Sequence, residues 1–186
     1  MDRDENPKSV HDWCVANGLP TFVCDVRHPR DVPLMLRELG QAVNRSEAAE
    51  VHARAIEAML RRAPDTNGRT ALPLIWHRPL MAANGTTYAG NMLACLGFNV
   101  PNIEPDGTGY PEVSPEIILQ HGVTDVFLSS EPHEFTDEES GSLSEAFGNL
   151  TATPPRIHFI DGEDLTWMGS RTCLLYTSDA ADDIRR

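Results

Sequence analysis

Basic residues are in short supply in this chain: 15 lysines and arginines face 28 aspartates and glutamates, for a formal net charge of -13. Partners held through their phosphates are recognised by the opposite balance, so nucleic acid is not expected as a ligand. Long apolar runs are missing too. No stretch reaches the ~20 residues needed to span a bilayer, and no basic-then-apolar segment opens the chain. Cysteine is sparse and unpatterned. Cys14, Cys24, Cys95 and Cys173 show no Cys-x-x-Cys spacing, so no zinc framework is expected. Cys14 and Cys95 fall on apolar helix faces, as small buried hydrophobes do. Gly-x-Ser-x-Gly elbows, phosphate-cradling glycine loops and dinucleotide fingerprints are also absent, which leaves catalysis little to stand on.

What is present is an alternation of helical and strand patterns. Asn6 and Pro7 open a helix with Val10, Trp13 and Cys14 on one stripe, closed by Gly18. Leu19–Asp25 reads as a buried strand, and Asp31 starts a second helix with Val32, Met35, Leu36 and Leu39 at helical spacing and Gly40 as its stop. Ser46 to about Arg62 is the longest helical segment, with apolar positions wider than one narrow stripe. The turn-rich Ala63–Gly68 marks a boundary. From Thr70 the rhythm is β–α–β–α–β: a strand at Ala71–Trp76 containing Pro73, a helix at Thr86–Leu96, a short helix at Ser114–His121, strands at Asp125–Ser129 and Arg156–Ile160, and a helix at Thr136–Phe147. That order predicts a parallel sheet flanked by helices, with Pro73 at an edge or irregular position and ligands gathered at the carboxyl ends of the strands.

Three segments lie where strands end or loops enter helices: Ile75-Trp-His-Arg-Pro-Leu-Met81, Gly109-Tyr-Pro-Glu-Val-Ser-Pro-Glu116 and Ser130-Glu-Pro-His-Glu-Phe135. They mix aromatics, carboxylates and turn-formers, a combination suited to gripping something bulky. Together with Asp161-Gly-Glu-Asp-Leu-Thr-Trp-Met-Gly-Ser-Arg-Thr172, the chain resembles the substrate-binding proteins of ABC importers for cobalamin and ferric siderophores, the class III periplasmic binding proteins.

The resemblance implies a two-lobe α/β fold whose lobes are joined by a long helix. Residues 1–45 would be the remnant of the N-terminal lobe, 46–63 the inter-lobe helix, and 64–172 an incomplete C-terminal lobe. Met1-Asp-Arg-Asp-Glu-Asn-Pro7 is read as the internal start of a longer gene. Residues 173–186 look like the in-frame translation of a transposon-type sequencing adapter and are set aside as an artefact. By the same resemblance Trp76, Tyr110, Glu163 and Trp167 would contact the ligand, and Glu116 would dock on the membrane permease. No catalytic residue, metal ligand or cofactor is assigned. The expected ligand is itself a metal chelate: cobalamin, a ferric siderophore or haem. The intact protein would be periplasmic or a cell-surface lipoprotein, with the ABC permease as its partner.

Plainer readings stand beside these. Ser114 is a good N-cap and Glu116 meets the positive end of the following helix, so a capping role would account for both. A buried Trp167 could simply anchor its loop, and Arg171 would belong to a helix that follows. The acidic run Asp137–Glu139 fits dipole stabilisation at a helix start. His77 and His133, with nearby carboxylates, are the basis of a competing expectation, a cytoplasmic metal-dependent enzyme or chelatase, although solvated loop histidines are the favoured reading of each.

Overall fold

The computed structural model describes residues 1–3, 6–61, 68–104 and 107–173. All of the expected Ala63–Gly68 boundary but Gly68, and the adapter-like tail after Cys173, lie outside the described residues. The sheet has the order β2-β1-β3-β4, built from β1 (Ala71–Trp76), β2 (Met81–Ala82), β3 (Asp125–Ser129) and β4 (Arg156–Ile160). Strands β1, β3 and β4 run parallel, and β2 adds a short antiparallel edge.

Side chains alternate across this sheet with the strand period of two. Leu72, Leu74, Val126 and Leu128 enter one apolar cluster with Ile118 of α5 (Pro115–Gln120) and Phe147 of α6 (Asp137–Leu150). Ala71 and Phe127 enter the opposite cluster. That side is covered by Met92 and Leu93 of α4 (Tyr88–Cys95), Leu165 of α7 (Gly162–Thr166) and Ile56 and Met59 of α3 (Ser46–Leu60). The sheet is therefore covered on both faces, as expected for parallel strands.

Pro73 lies inside the sheet. Its carbonyl accepts from the Ala83 N–H at 2.9 Å, so its missing N–H falls on the β2 side, where the partner is two residues long and the register slips between Leu74 and Trp76. The irregular position expected for this proline is thus found on an interior strand. The edge strand β2 itself went unforeseen because a two-residue strand carries no periodicity.

The amino ends of the three parallel strands are fastened by one buried carboxylate. Asp125 is fully buried and accepts from Arg69 Nε at 2.8 Å, His158 Nε2 at 2.8 Å and the Thr124 hydroxyl at 2.8 Å, with Arg156 Nε at 3.2 Å. Burial alone would raise its pKa, but hydrogen bonds from Arg69, His158 and Thr124 outweigh that and hold the carboxyl well below the usual range.

The N-terminal region departs from expectation in several places. Helix α1 (Lys8–Ala16) begins after Pro7, and the Asn6 side chain instead accepts from the Asp2 N–H. Leu19–Asp25 forms no strand. Its one bridge is parallel, between Asp2 and Cys24, with Val23 exposed, because a ladder needs a neighbour and Met1–Arg3 is the only extended segment bridged to it among the described residues. Gly40 is not a helix stop but lies inside α2 (Val32–Ala42). A Cβ there would sit 2.4 Å from Ala49 Cβ, so the residue permits the close crossing of α2 and α3. Arg37 secures that crossing, donating to Glu50 at 2.6 Å and Glu57 at 2.7 Å. The apolar face of α3 is narrower than its sequence suggests: Ala53, Ile56 and Met59 are buried, while Val51, Ala55 and Ala58 are exposed.

Candidate ligand-binding cavity

A cavity of about 650 Å³ opens at the carboxyl ends of the parallel strands. Its lining includes Trp76, Met81, Tyr88, Tyr110 and Trp167, with Val26 contributed from the segment before α2. Three of the four expected contact residues, Trp76, Tyr110 and Trp167, therefore meet in one hollow although they come from three separate segments. The volume lies within the roughly 300–1,000 Å³ typical of small-molecule sites, and the aromatic lining is of the usual kind.

Each aromatic is held by identifiable local structure. Trp76 closes β1, and its indole Nε1 donates to the Arg78 carbonyl at 3.1 Å. Tyr110 sits on a strip running alongside β2, secured by Ala82 N–H to the Pro111 carbonyl at 3.0 Å and Val113 N–H to the Leu80 carbonyl at 2.8 Å. The strip turns at Gly109, where φ is 94° and an added Cβ would lie 2.8 Å from Thr87 Cγ2. A positive φ with that little room calls for glycine.

Trp167 follows α7, whose Asp161 cap accepts from the Glu163 and Asp164 N–H groups. Its indole Nε1 donates to Glu131 Oε2 at 2.9 Å. Gly162 makes that reach available, because α7 packs so close to the loop after β3 that an added Cβ would meet Glu131 N at 2.5 Å. Trp167 is 51% exposed and Trp76 is 40% exposed. A buried loop anchor, the plainer reading of Trp167, is not what the fold contains. Both rings present uncovered apolar surface to the hollow.

The fourth expected contact is placed elsewhere. Glu163 is not among the lining residues, and its carboxylate pairs with Arg171 Nη1 at 2.9 Å, while Arg171 also reaches Asp164 at 3.0 Å. Its position on the first turn of α7 directs it into this surface ion network. Arg171 itself lies on a 3-10 turn, Ser170–Cys173, which takes the place of the expected helix. Glu131 is the carboxylate that borders the cavity. Tyr88 and Met81 were not singled out by sequence. Tyr88 reads as one more apolar residue on a helical stripe, and its hydroxyl bond to Thr172 at 2.8 Å depends on tertiary contact alone.

Glu116 lies away from the cavity on the exposed first turn of α5. The Ser114 side chain first, then its own backbone N–H, hold its carboxyl below the usual range. Ser114 caps the helix by accepting from Ile117 N–H.

His77 and His133 converge on neither the cavity nor each other alone. Both ring nitrogens point at Glu139: Nδ1 of His77 is 2.6 Å from Oε1, and Nε2 of His133 is 3.1 Å from Oε2. Glu139 also closes a capping box with Thr136 at the start of α6. The Thr136 N–H, with smaller contributions from His133 and His77, holds its carboxyl down at about 2. Helix-start stabilisation, expected for the Asp137–Glu139 run, is thus only part of what Glu139 does.

No family model matches the sequence, and no curated protein matches it. Solved structures do match, at low identity and over nearly the whole chain. The heme-binding periplasmic protein RhuT from Roseiflexus sp. RS-1 superposes with a TM-score of 0.71 at 20% identity, covering 97% of this chain and 72% of that one. A possible iron-binding periplasmic solute-binding protein from Staphylococcus epidermidis gives 0.70 at 17%, covering 96% and 71%. The periplasmic vitamin B12 binding protein BtuF of Vibrio cholerae gives 0.70 at 12%, covering 99% and 70%. The fold is that of the class III periplasmic binding proteins, of which the chain spans about seven-tenths. Among the described residues no helix is long and apolar enough to cross a membrane.

Proposed function

We propose that this protein is the solute-binding component of an ABC importer, which holds a metal chelate at the aromatic cavity and delivers it to a permease without covalent change. The observation that carries this reading is the convergence of Trp76, Tyr110 and Trp167 on one hollow at the strand ends. Covering the exposed ring surface of either tryptophan is worth on the order of 2–3 kcal/mol before ordering costs are subtracted. Broad apolar contact of this kind suits a corrinoid, a ferric siderophore or haem, and Glu131 supplies a polar group to orient it. Structural neighbours described as binding heme, iron or vitamin B12 support the same ligand class.

On this reading the protein works outside the cytoplasm and performs no catalysis. Residues 1–45 belong to one lobe, 46–63 to the helix between lobes and 64–172 to the second lobe. Glu116, exposed and kept ionised at the start of α5, is the group offered to basic residues of the permease. Titration with cyanocobalamin, haemin and ferric siderophores, followed by tryptophan fluorescence, tests the assignment. One of the panel should bind, and Tyr110→Ala and Trp167→Ala should each weaken it by about tenfold or more. No response to any of the panel, or equal affinity in both variants, would reject the reading.

A further inference from the structure

We propose that His77, His133 and Glu139 form a binding site for one divalent first-row transition cation of the zinc class, beside the aromatic cavity and separate from it. One potential ligand atom from each residue lies within 4.8 Å of the other two. The residues come from three segments that only the fold brings together: the β1–β2 connection, the loop after β3 and the first turn of α6. None of this is visible as a ligand spacing in the sequence.

The cluster is ordered in the way a metal site needs. Oε2 of Glu139 accepts the Thr136 N–H at 2.9 Å, which fixes the carboxylate plane. His133 is gripped by the Phe135 ring at 4.8 Å and by Trp76 at 5.7 Å, and His77 stacks on it at 5.8 Å. Zinc bonds to imidazole and carboxylate of about 2.0–2.2 Å place donor atoms roughly 3.3 Å apart, so side-chain shifts of at most about 1.5 Å would close the set. The distances from Glu139 to the two imidazoles already lie near that value.

Two neutral imidazoles and one carboxylate make an N₂O donor set, which favours Zn²⁺, Co²⁺ or Ni²⁺ over Mg²⁺ and Ca²⁺. The three residues line a pocket of about 480 Å³ that Ser142, Glu138 and Arg78 also line. Trp76 borders both this pocket and the aromatic cavity, so a bound cation would stiffen one wall of the cavity.

Isothermal titration of the full chain with Zn²⁺, and of the same chain with Co²⁺ followed by visible absorption, tests the site. One cation per chain is expected, with cobalt bands diagnostic of mixed nitrogen and oxygen ligation. His77→Ala, His133→Gln and Glu139→Gln should each weaken Zn²⁺ by about tenfold or more. Glutamine at 139 can still complete the capping box, so that variant keeps the helix start. His121→Ala, at an exposed histidine outside the cluster, should bind as the parent does. Absence of Zn²⁺ binding by the parent chain, or affinity unchanged in all three cluster variants, overturns the proposal. Neither result bears on whether a chelate binds in the neighbouring cavity.

Discussion

Residues 69–166 and residues 6–43 follow similar sequence rules with different outcomes. In the former, β1, β3 and β4 find parallel neighbours and apolar clusters on both faces. In the latter, an equally convincing strand pattern at Leu19–Asp25 finds one bridge, and Val10, Trp13, Val15, Leu19 and Val23 stay exposed. β-Propensity becomes a strand only where a second backbone meets it. Helix α1 shows the same thing for helices, having no buried residue despite its apolar stripe.

The largest effect should come from Asp125→Ala, which removes the buried carboxylate shared by Arg69, Arg156 and His158 and should cost about 3–5 kcal/mol in urea unfolding. Gly40→Ala comes next. The helix propensity gained, about 1 kcal/mol, is opposed by a Cβ placed 2.4 Å from Ala49 Cβ, and a net loss of about 1–3 kcal/mol is expected. If Gly40→Ala were neutral, the crossing of α2 and α3 would be looser than described.

A smaller, pH-dependent effect belongs to Glu50. Its bonds to Arg37 and then Arg54 push its pKa down from 4.5 to about 2. A group depressed on folding stabilises above its unfolded pKa, so this contribution should be whole above about pH 4.5 and fade as the pH falls toward 2. Acid titrations of Glu50→Gln should lack that part of the decline, and added salt should mute the difference because both side chains are partly exposed to solvent. The smallest effect should be that of Trp13→Ala, within about 0.5 kcal/mol of the parent in the same urea assay. A loss comparable to that of Asp125→Ala would mean that α1 is covered, and the contrast between the two regions would fail.

The sheet region was legible because its strands carry apolar runs bounded by turn residues. Ala71–Trp76, Asp125–Ser129 and Arg156–Ile160 appear with the limits their patterns suggest. Trp76, Tyr110 and Trp167 do line one cavity, a placement suggested by the family resemblance more than by any local pattern of their own. Glu163 was misplaced because sequence shows which turn a carboxylate occupies but not that Arg171 waits beside it. In the cluster at Glu139 the two histidines stood out in the sequence but their carboxylate did not: His77 and His133 sit on different loops, and only the capping box at Thr136 gives Glu139 a local signature.

The buried carboxylate at the start of β3 lies at the opposite end of the sheet from Trp76 and Trp167. Anchoring and recognition are thereby assigned to different ends of the same strands, so what the rim accepts can be altered by exchanging its loops while the base stays as it is. For protein engineering this makes the 76–81, 109–113 and 130–135 segments the places to graft a new specificity, with Arg69, Asp125 and His158 left untouched.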